Sequence, residues 1–219
     1  MERLPKILRK PMPKFVLDTV VLRVFAFAYP QGIDILLSAL KTSLACFPTE
    51  VYNQDENSLP PNVSDEELSE LARGLRYAQR KAQTLPGLQG QRFQVRLQNA
   101  TQIPRHIQAG SLFIEPLQIE ELPRRERLGE LYGIGRGEAA CLVLSERTLL
   151  TSVFLSSDEI ACQAAQALGI SFLTIPDILT DWVSEMYPPR ELLQDLVDGM
   201  RNASFAVPET LYQRLQDML

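Results

Sequence analysis

The sequence predicts an α/β fold built around a parallel β-sheet, and two kinds of observation support this class. Short apolar runs end abruptly beside an acid, as residues 15–17 do before Asp18, and a helical pattern then follows. Residues 151–173 read as strand, helix and strand within about twenty positions, the spacing of a parallel βαβ unit. Residues just past the carboxyl ends of parallel strands gather in one crevice, so this fold class also predicts where a site would lie.

The composition fits a single globular domain spanning residues 1–219, with 45% hydrophobic and 22% charged residues. The formal net charge of −5 argues against a broadly basic nucleic-acid surface but leaves a local basic patch open. Cys46, Cys141 and Cys162 lie in apolar contexts without metal-ligand spacing, so we expect buried free thiols and a reducing, cytoplasmic compartment. No stretch is long and apolar enough to span a bilayer, so no membrane association is expected.

The first quarter of the chain predicts two strands separated by two helices. After the strand at 15–17, residues 19–28 read as a helix with Asp18 at its N-cap, although the β-branched residues also permit a continuous strand through Val24. Asp34 would cap a second helix at 35–40. Residues 43–47 form a short apolar run of strand type, and one or two helical turns follow at 49–54.

The middle of the chain predicts one clear helix and a possible pair of strands. A polar loop at 55–63 precedes a capping box formed by Ser64 and Glu67, which predicts an amphipathic helix ending at Pro86. Three arginines of that helix are expected to pair with Glu70 and similar acids, with RNA contact as the alternative; they are Arg73, Arg76 and Arg80. Alternation at 93–97 predicts a half-buried strand that residues 111–115 could pair with, and His106 is predicted to lie in a loop between them.

The last third predicts alternating helices and strands followed by helices alone. Glu138 opens a helix over 139–146, and a buried strand follows at 151–155. Ser156 or Ser157 would cap the next helix, which ends at Gly169 before a strand at 170–173. Residues 176–219 show helical stripes of the kind that cover a sheet face or an oligomer interface.

Three acids stand at strand-to-helix junctions or helix starts, and we expect them to meet in one pocket: Asp18, Glu138 and Asp158. Carboxylates that crowd together raise one another's pKa, and a bound cation removes that cost. Mg²⁺ and Mn²⁺ prefer oxygen ligands and can support phosphodiester hydrolysis. Each acid also has a simpler role as a helix cap or a first-turn residue favoured by the helix dipole.

Four segments in this order resemble the PIN-domain nucleases, most closely the small prokaryotic toxins of the VapC kind. The segments are "VLDTVVL", "FPTEVYNQD", "GRGEAACLVL" and "FLSSDEIACQAAQALGISFLT". The resemblance implies a three-layer α/β/α fold, cleavage of RNA with Mg²⁺ or Mn²⁺, an antitoxin partner and a homodimer. Residues 56–112 would then be an insertion relative to a compact member of this family.

Carried over residue by residue, Asp18 matches the first acid of the family and Glu138 the acid of its "GE" motif. Gln54 and Ser157 stand where acids are usual, so Asp55 and Asp158 are the neighbouring candidates. The sequence thus predicts catalysis and metal binding by Asp18, Glu138 and Asp158, with Asp55 as a further metal ligand. Substrate contacts are predicted for three further residues: Thr19, Arg136 and Ser157.

Two other functional classes stay open. The chain could be a PIN-like binding or regulatory protein that has lost catalysis, or a structural α/β subunit that assembles through its C-terminal helices.

Overall fold

The computed structural model describes residues 13–58, 63–148 and 151–219. Within these ranges the centre of the molecule is a five-stranded sheet with the order β3-β2-β1-β4-β5, and every neighbouring pair is parallel. The strands are β1 (Lys14–Leu17), β2 (Ala45–Phe47), β3 (Leu112–Ile114), β4 (Ser152–Leu155) and β5 (Ser171–Leu173). Residues 1–12 and part of the loop predicted at 55–63 lie outside the described residues.

Helices flank this sheet in the three-layer α/β/α arrangement that the sequence predicts. The first five are α1 (Thr19–Ala28), α2 (Gly32–Ala39), α3 (Glu70–Thr84), α4 (Gly87–Ala100) and α5 (Gln102–Gln108). The others are α6 (Leu122–Tyr132), α7 (Arg136–Glu146), α8 (Glu159–Ala167), α9 (Ile175–Met186), α10 (Arg190–Asn202) and α11 (Glu209–Asp217). Helix α1 packs on α4 and α10, whereas α7 packs on β1, β4 and α6.

The strand order reverses direction between β1 and β4. The chain runs outward from β1 through β2 to β3, then returns to β4 beside β1 and continues to β5. Crossovers between parallel strands are right-handed, so a reversal of this kind leaves a crevice at the carboxyl ends of the two central strands. The fold therefore places the residues that follow β1 and β4 where α/β proteins bind their ligands.

The core is apolar and continuous across the sheet. The central strands are the most buried, because both faces are covered by helices: Val16, Leu17, Phe154 and Leu155 have no exposed surface. Close helix packing requires a small residue at Gly199, since a Cβ there would lie 2.1 Å from the carbonyl oxygen of Ala28. Among the described residues, no helix is long and apolar enough to cross a membrane.

The middle of the chain differs most from its prediction. Residues 93–97 lie inside helix α4 instead of forming a strand, and β3 pairs with β2. Apolar side chains at 93 and 97 also fit helical spacing, and Val95 between them is 51% exposed, as a solvent-facing helix position would be. His106 lies in α5, not in a loop, and its Nδ1 is 2.7 Å from the hydroxyl of Ser111.

Several helix boundaries also differ from prediction, because short 3₁₀ turns and neighbouring residues provide the caps. Ser64 caps a 3₁₀ turn at Asp65–Glu67, and the long helix starts only at Glu70. Helix α2 begins at Gly32, so Asp34 lies in its first turn. Helix α1 is a helix throughout, which excludes the strand through residue 24.

The predicted surface pairing holds for two of the three arginines of α3, but with another acid. Arg76 and Arg80 form ion pairs with Asp65, at 3.4 and 2.8 Å, and not with Glu70. Glu70 is thereby left for contacts in the interior of the molecule.

Candidate active site at the centre of the sheet

The candidate site starts where β1 and β4 end side by side. Leu17 and Leu155 are register partners, and the backbone N–H of Asp18 donates to the carbonyl of Leu155 at 2.9 Å. Asp18 and Ser156 are therefore the next residues on two adjacent parallel strands, at the point where the strand order reverses. Neither residue has any exposed surface.

Asp18 is a buried carboxylate with two fixed hydrogen bonds. Its Oδ1 accepts the backbone N–H of Thr19 at the start of α1, and its Oδ2 accepts the hydroxyl of Ser156 at 2.8 Å. The pKa of Asp18 is nevertheless raised to about 7, mainly by burial; the charges of Glu138 and Glu70 act in the same direction, against the effect of the two hydrogen bonds. The carboxyl group therefore changes its charge near neutral pH.

Glu70 is a member of the site that the sequence analysis missed. The hydroxyl of Thr19 donates to Glu70 Oε2 at 2.6 Å, and the backbone N–H of Gly137 donates to Oε1 at 3.1 Å. The start of α3 is held in place because the N–H groups of Glu70 and Leu71 donate to the carbonyls of Glu50 and Val51. The sequence predicts that this helix starts at Ser64, so Glu70 is expected inside the helix and not as an acid at its start.

Glu138 approaches from the first turn of α7. Its Oε2 accepts the backbone N–H of Gly135 at 2.7 Å, which caps the helix. Its pKa is raised by burial first, and then by the charges of Asp158 and Glu70. The hydrogen bond lowers the pKa without cancelling this effect.

The glycines of the "GRGEA" segment allow Glu70 and Glu138 to come close. A Cβ on Gly135 would lie 3.2 Å from Glu70 Oε1 and 3.3 Å from Glu138 Oε2, so the two carboxylates border the same small volume. A Cβ on Gly137 would lie 2.7 Å from Glu70 Oε2. A side chain at either glycine would therefore have to displace the carboxylate that approaches it.

Asp158 joins the group through Ser156. It is the N-cap of α8, where its Oδ1 accepts the backbone N–H of Ala161 at 2.9 Å. Its own backbone N–H donates to the hydroxyl of Ser156 at 3.1 Å, and that hydroxyl in turn donates to Asp18. Asp158, and not a serine, is therefore the cap of this helix.

The other predicted residues are placed as follows. Thr19 is buried, with its hydroxyl used by Glu70, and Ser157 accepts the backbone N–H of Ile175 at 2.9 Å, which leaves it a role in positioning α9. Arg136 is exposed at the first position of α7, beside Gly135. Asp55 is exposed in a 3₁₀ helix that Gln54 begins.

The thiols near this site are protonated at neutral pH. Cys141 donates to the carbonyl of Leu17 and Cys162 to that of Ser156, and burial raises the pKa of Cys162 to about 11 and that of Cys141 well above its usual value. The prediction of buried free thiols is confirmed for all three cysteines. Thiolate nucleophiles or thiolate metal ligands are not part of this arrangement.

The four acids sit at the starts of four helices, and donors bridge them. The described residues contain no group of three or more His, Cys, Asp or Glu side chains that could hold a metal ion. The chain of contacts runs instead through Ser156, Thr19 and the backbone amides of α7. The arrangement is a buried carboxyl group whose ionised form is disfavoured by burial and by the charges of Glu138 and Glu70, and a proton or a cation would relieve this cost.

Comparison of the chain with protein-family models, with curated proteins and with solved structures gives no match. The resemblance to PIN-domain nucleases therefore stays a prediction from the four segments of sequence.

Proposed function

We propose that the protein is a metal-dependent endoribonuclease of the PIN type, which hydrolyses RNA phosphodiesters. The observation that carries the proposal is the buried carboxyl group of Asp18 at the point where the strand order reverses, with its pKa raised to about 7 by burial and, in part, by the charges of Glu138 and Glu70. The resemblance carried by Asp18 and the "GRGEA" segment supports the same reaction.

The donor set suits a hard divalent cation. All four side chains offer carboxylate oxygens, which Mg²⁺ and Mn²⁺ prefer, and each oxygen that accepts one hydrogen bond retains a second lone pair. Mg²⁺ is usually held by only one or two carboxylates and several waters, so the ready-made cluster of three that the described residues lack is not required. When bound here, the ion would supply Lewis-acid polarisation of the phosphate and a water of lowered pKa.

The chain's own residues have separate roles in this proposal. Ser156 and Thr19 fix the orientation of Asp18 and Glu70, so the carboxylates are held before substrate arrives. Arg136 is exposed at the start of α7, where it can contact a phosphate oxygen of the substrate. Asp18 must lose its proton to act, so activity should rise with pH through the region near 7.

The test is cleavage of an end-labelled mixed RNA pool with Mn²⁺, with Mg²⁺ and with EDTA. We expect cleavage by the wild type with either ion, none with EDTA, and a loss of at least roughly 100-fold in Asp18→Asn. The matched control is Asp195→Asn, an exposed acid on α10 that should leave activity unchanged. Equal activity in wild type and Asp18→Asn would reject the proposal, as would no activity in either.

The second candidate is a PIN-like binding or regulatory protein without catalysis. It is favoured by the internal hydrogen bonds of all four acids and by the absence of a ready-made metal group among the described residues. Titration calorimetry with Mn²⁺ separates the two: stoichiometric binding that is lost in Glu138→Gln supports the nuclease, and no heat of binding supports the alternative.

An antitoxin partner and a homodimer belong to the same proposal, because toxins of the resembled family have them. An antitoxin that silences this site would have to cover or displace its acids. Co-expression with the product of a small adjacent gene, followed by the cleavage assay, tests this: unchanged cleavage in an intact complex would rule out inhibition.

A further inference from the structure

The helical segment between β2 and β3 brings three arginines together with no acid beside them. Arg23 of α1 and Arg92 and Arg96 of α4 take part in none of the ion pairs between described residues. The Nε atoms of Arg23 and Arg96 are buried without a hydrogen-bond partner. A buried donor without a partner is costly, so such atoms call for a ligand or a bound water.

The three side chains act on one another electrostatically. The pKa of Arg96 is lowered, first by burial and then by the charge of Arg23, with Arg92 contributing in the same direction. The guanidinium of Arg96 lies 4.6 Å from the centroid of the Phe93 ring, which fixes its position. Like charges held together in this way are destabilising unless an anion binds between them.

A cleft of about 280 Å³ is lined by Arg92 and Arg96 but not by Arg23. Arg92, Arg96, Gln91 and Asn202 provide its polar groups, and Leu88 and Val95 are among its apolar lining residues. The planar guanidinium fork of arginine matches two oxygens of a phosphate group. A phosphate also offers more oxygens to neighbouring guanidinium groups than a single carboxylate does.

We propose that Arg92 and Arg96 bind a phosphate-class oxyanion in this cleft, either a small phosphorylated molecule or a phosphate of a nucleic-acid strand, and that Arg23, outside the cleft lining, adds positive charge near Arg96. The site is separate from the acid cluster. The residues of α1 that line the cleft are Phe27 and Ala28, at the end of the helix opposite to Asp18.

The first test measures thermal unfolding with inorganic pyrophosphate in EDTA, against chloride and acetate at the same ionic strength. We expect pyrophosphate to raise the melting temperature of the wild type, and its binding to weaken roughly tenfold or more in Arg92→Gln. Arg92 is exposed, so this change should not disturb folding. Arg190→Gln, which removes an exposed arginine at the start of α10, should bind like the wild type.

A melting temperature that pyrophosphate raises no more than acetate does would overturn the proposal, and so would equal binding by wild type and Arg92→Gln. The second test, fluorescence anisotropy with a short labelled single-stranded RNA in EDTA, identifies the source of the phosphate. Parallel weakening in Arg92→Gln assigns the site to a strand, and unchanged RNA binding assigns it to a small phosphorylated molecule. No divalent cation is present, so these results stand whether or not the acid cluster cleaves RNA.

Discussion

The hydroxyl of Ser156 donates to Asp18 Oδ2 at 2.8 Å across the ends of two adjacent parallel strands, and both residues are fully buried. The bond joins positions 138 residues apart in sequence. It lowers the pKa of Asp18, yet burial dominates and the pKa remains near 7. This single contact defines a carboxyl group that is held in place but is poorly stabilised as an anion.

Asp18 makes the stability of the fold depend on pH. Its pKa rises from 3.8 to about 7 on folding, so the folded state binds the proton more tightly. Its contribution to stability is complete below pH 4 and is lost as the pH rises through 7, a change on the order of 4 kcal/mol. Asp18→Asn, which keeps a good N-cap, should therefore exceed the wild type in stability by roughly 1–3 kcal/mol at pH 8 but not at pH 5.

The measurement for Asp18→Asn is urea unfolding at pH 5 and pH 8, with Asp195→Asn as the exposed control. A variant that is equally or less stable than the wild type at pH 8 would mean that Asp18 is not strained as an anion.

A divalent cation should stabilise the fold most at pH values at which Asp18 is ionised. Any ligand that binds only the folded state raises its stability, by about 2.7 kcal/mol at one hundred times the dissociation constant. We therefore expect Mn²⁺ to raise the melting temperature more at pH 8 than at pH 5, since the proton competes with the ion. The increase in melting temperature with Mn²⁺ should persist in Asp195→Asn and vanish in Asp18→Asn. An equal increase in both variants would mean that the ion binds at another site.

Three of the four acids could be located from the sequence because their signal is local. Asp18 ends an apolar run, and Glu138 and Asp158 stand at helix starts, so the parallel sheet was sufficient to bring their segments together. Glu70 was expected inside a helix beginning at Ser64 and near three arginines of that helix, which suggested surface ion pairs. Its actual partner, Thr19, is 51 residues away, and no short-range pattern reveals such a contact.

In the helical segment between β2 and β3, hydrophobic periodicity does not distinguish a strand from a helix. Five residues at 93–97 fit both an alternating strand and a helix with one exposed apolar side chain, and only the packing of α4 on α1 and α3 decides between them. The arginine cluster also depends on helix packing and not on a local sequence pattern. Arg23 and Arg96 come together through helix packing, so the sequence offered only separate basic residues.

Replacement of Glu70 by Gln tests whether it belongs to the proposed site. Gln can still accept the N–H of Gly137, but it removes one of the charges that raise the pKa of Asp18. We expect the pKa of Asp18 to fall, so the acidic limb of the pH–rate profile should move to lower pH, and activity at its plateau should drop roughly 10–100-fold. Glu67→Gln, an exposed neighbour, should change neither.

A Glu70→Gln variant with an unshifted pH profile and full activity would remove Glu70 from the site. Loss of activity without a shift in the profile would instead indicate that the variant damages the fold, which circular dichroism can check.

Replacement of Gly137 by Ala should damage the site while sparing the helix. Ala is favoured over Gly inside a helix by about 0.5–1 kcal/mol, but here the new Cβ would lie 2.7 Å from Glu70 Oε2 and push that flexible side chain aside. We expect near-normal stability, a loss of activity of roughly 10–100-fold and a lower pKa for Asp18, because Glu70 moves away. Gly74→Ala, where the Cβ meets nothing within 4 Å, is the matched control and should only stabilise. If both variants gain stability and keep full activity, the close approach of Glu70 to α7 has no part in function.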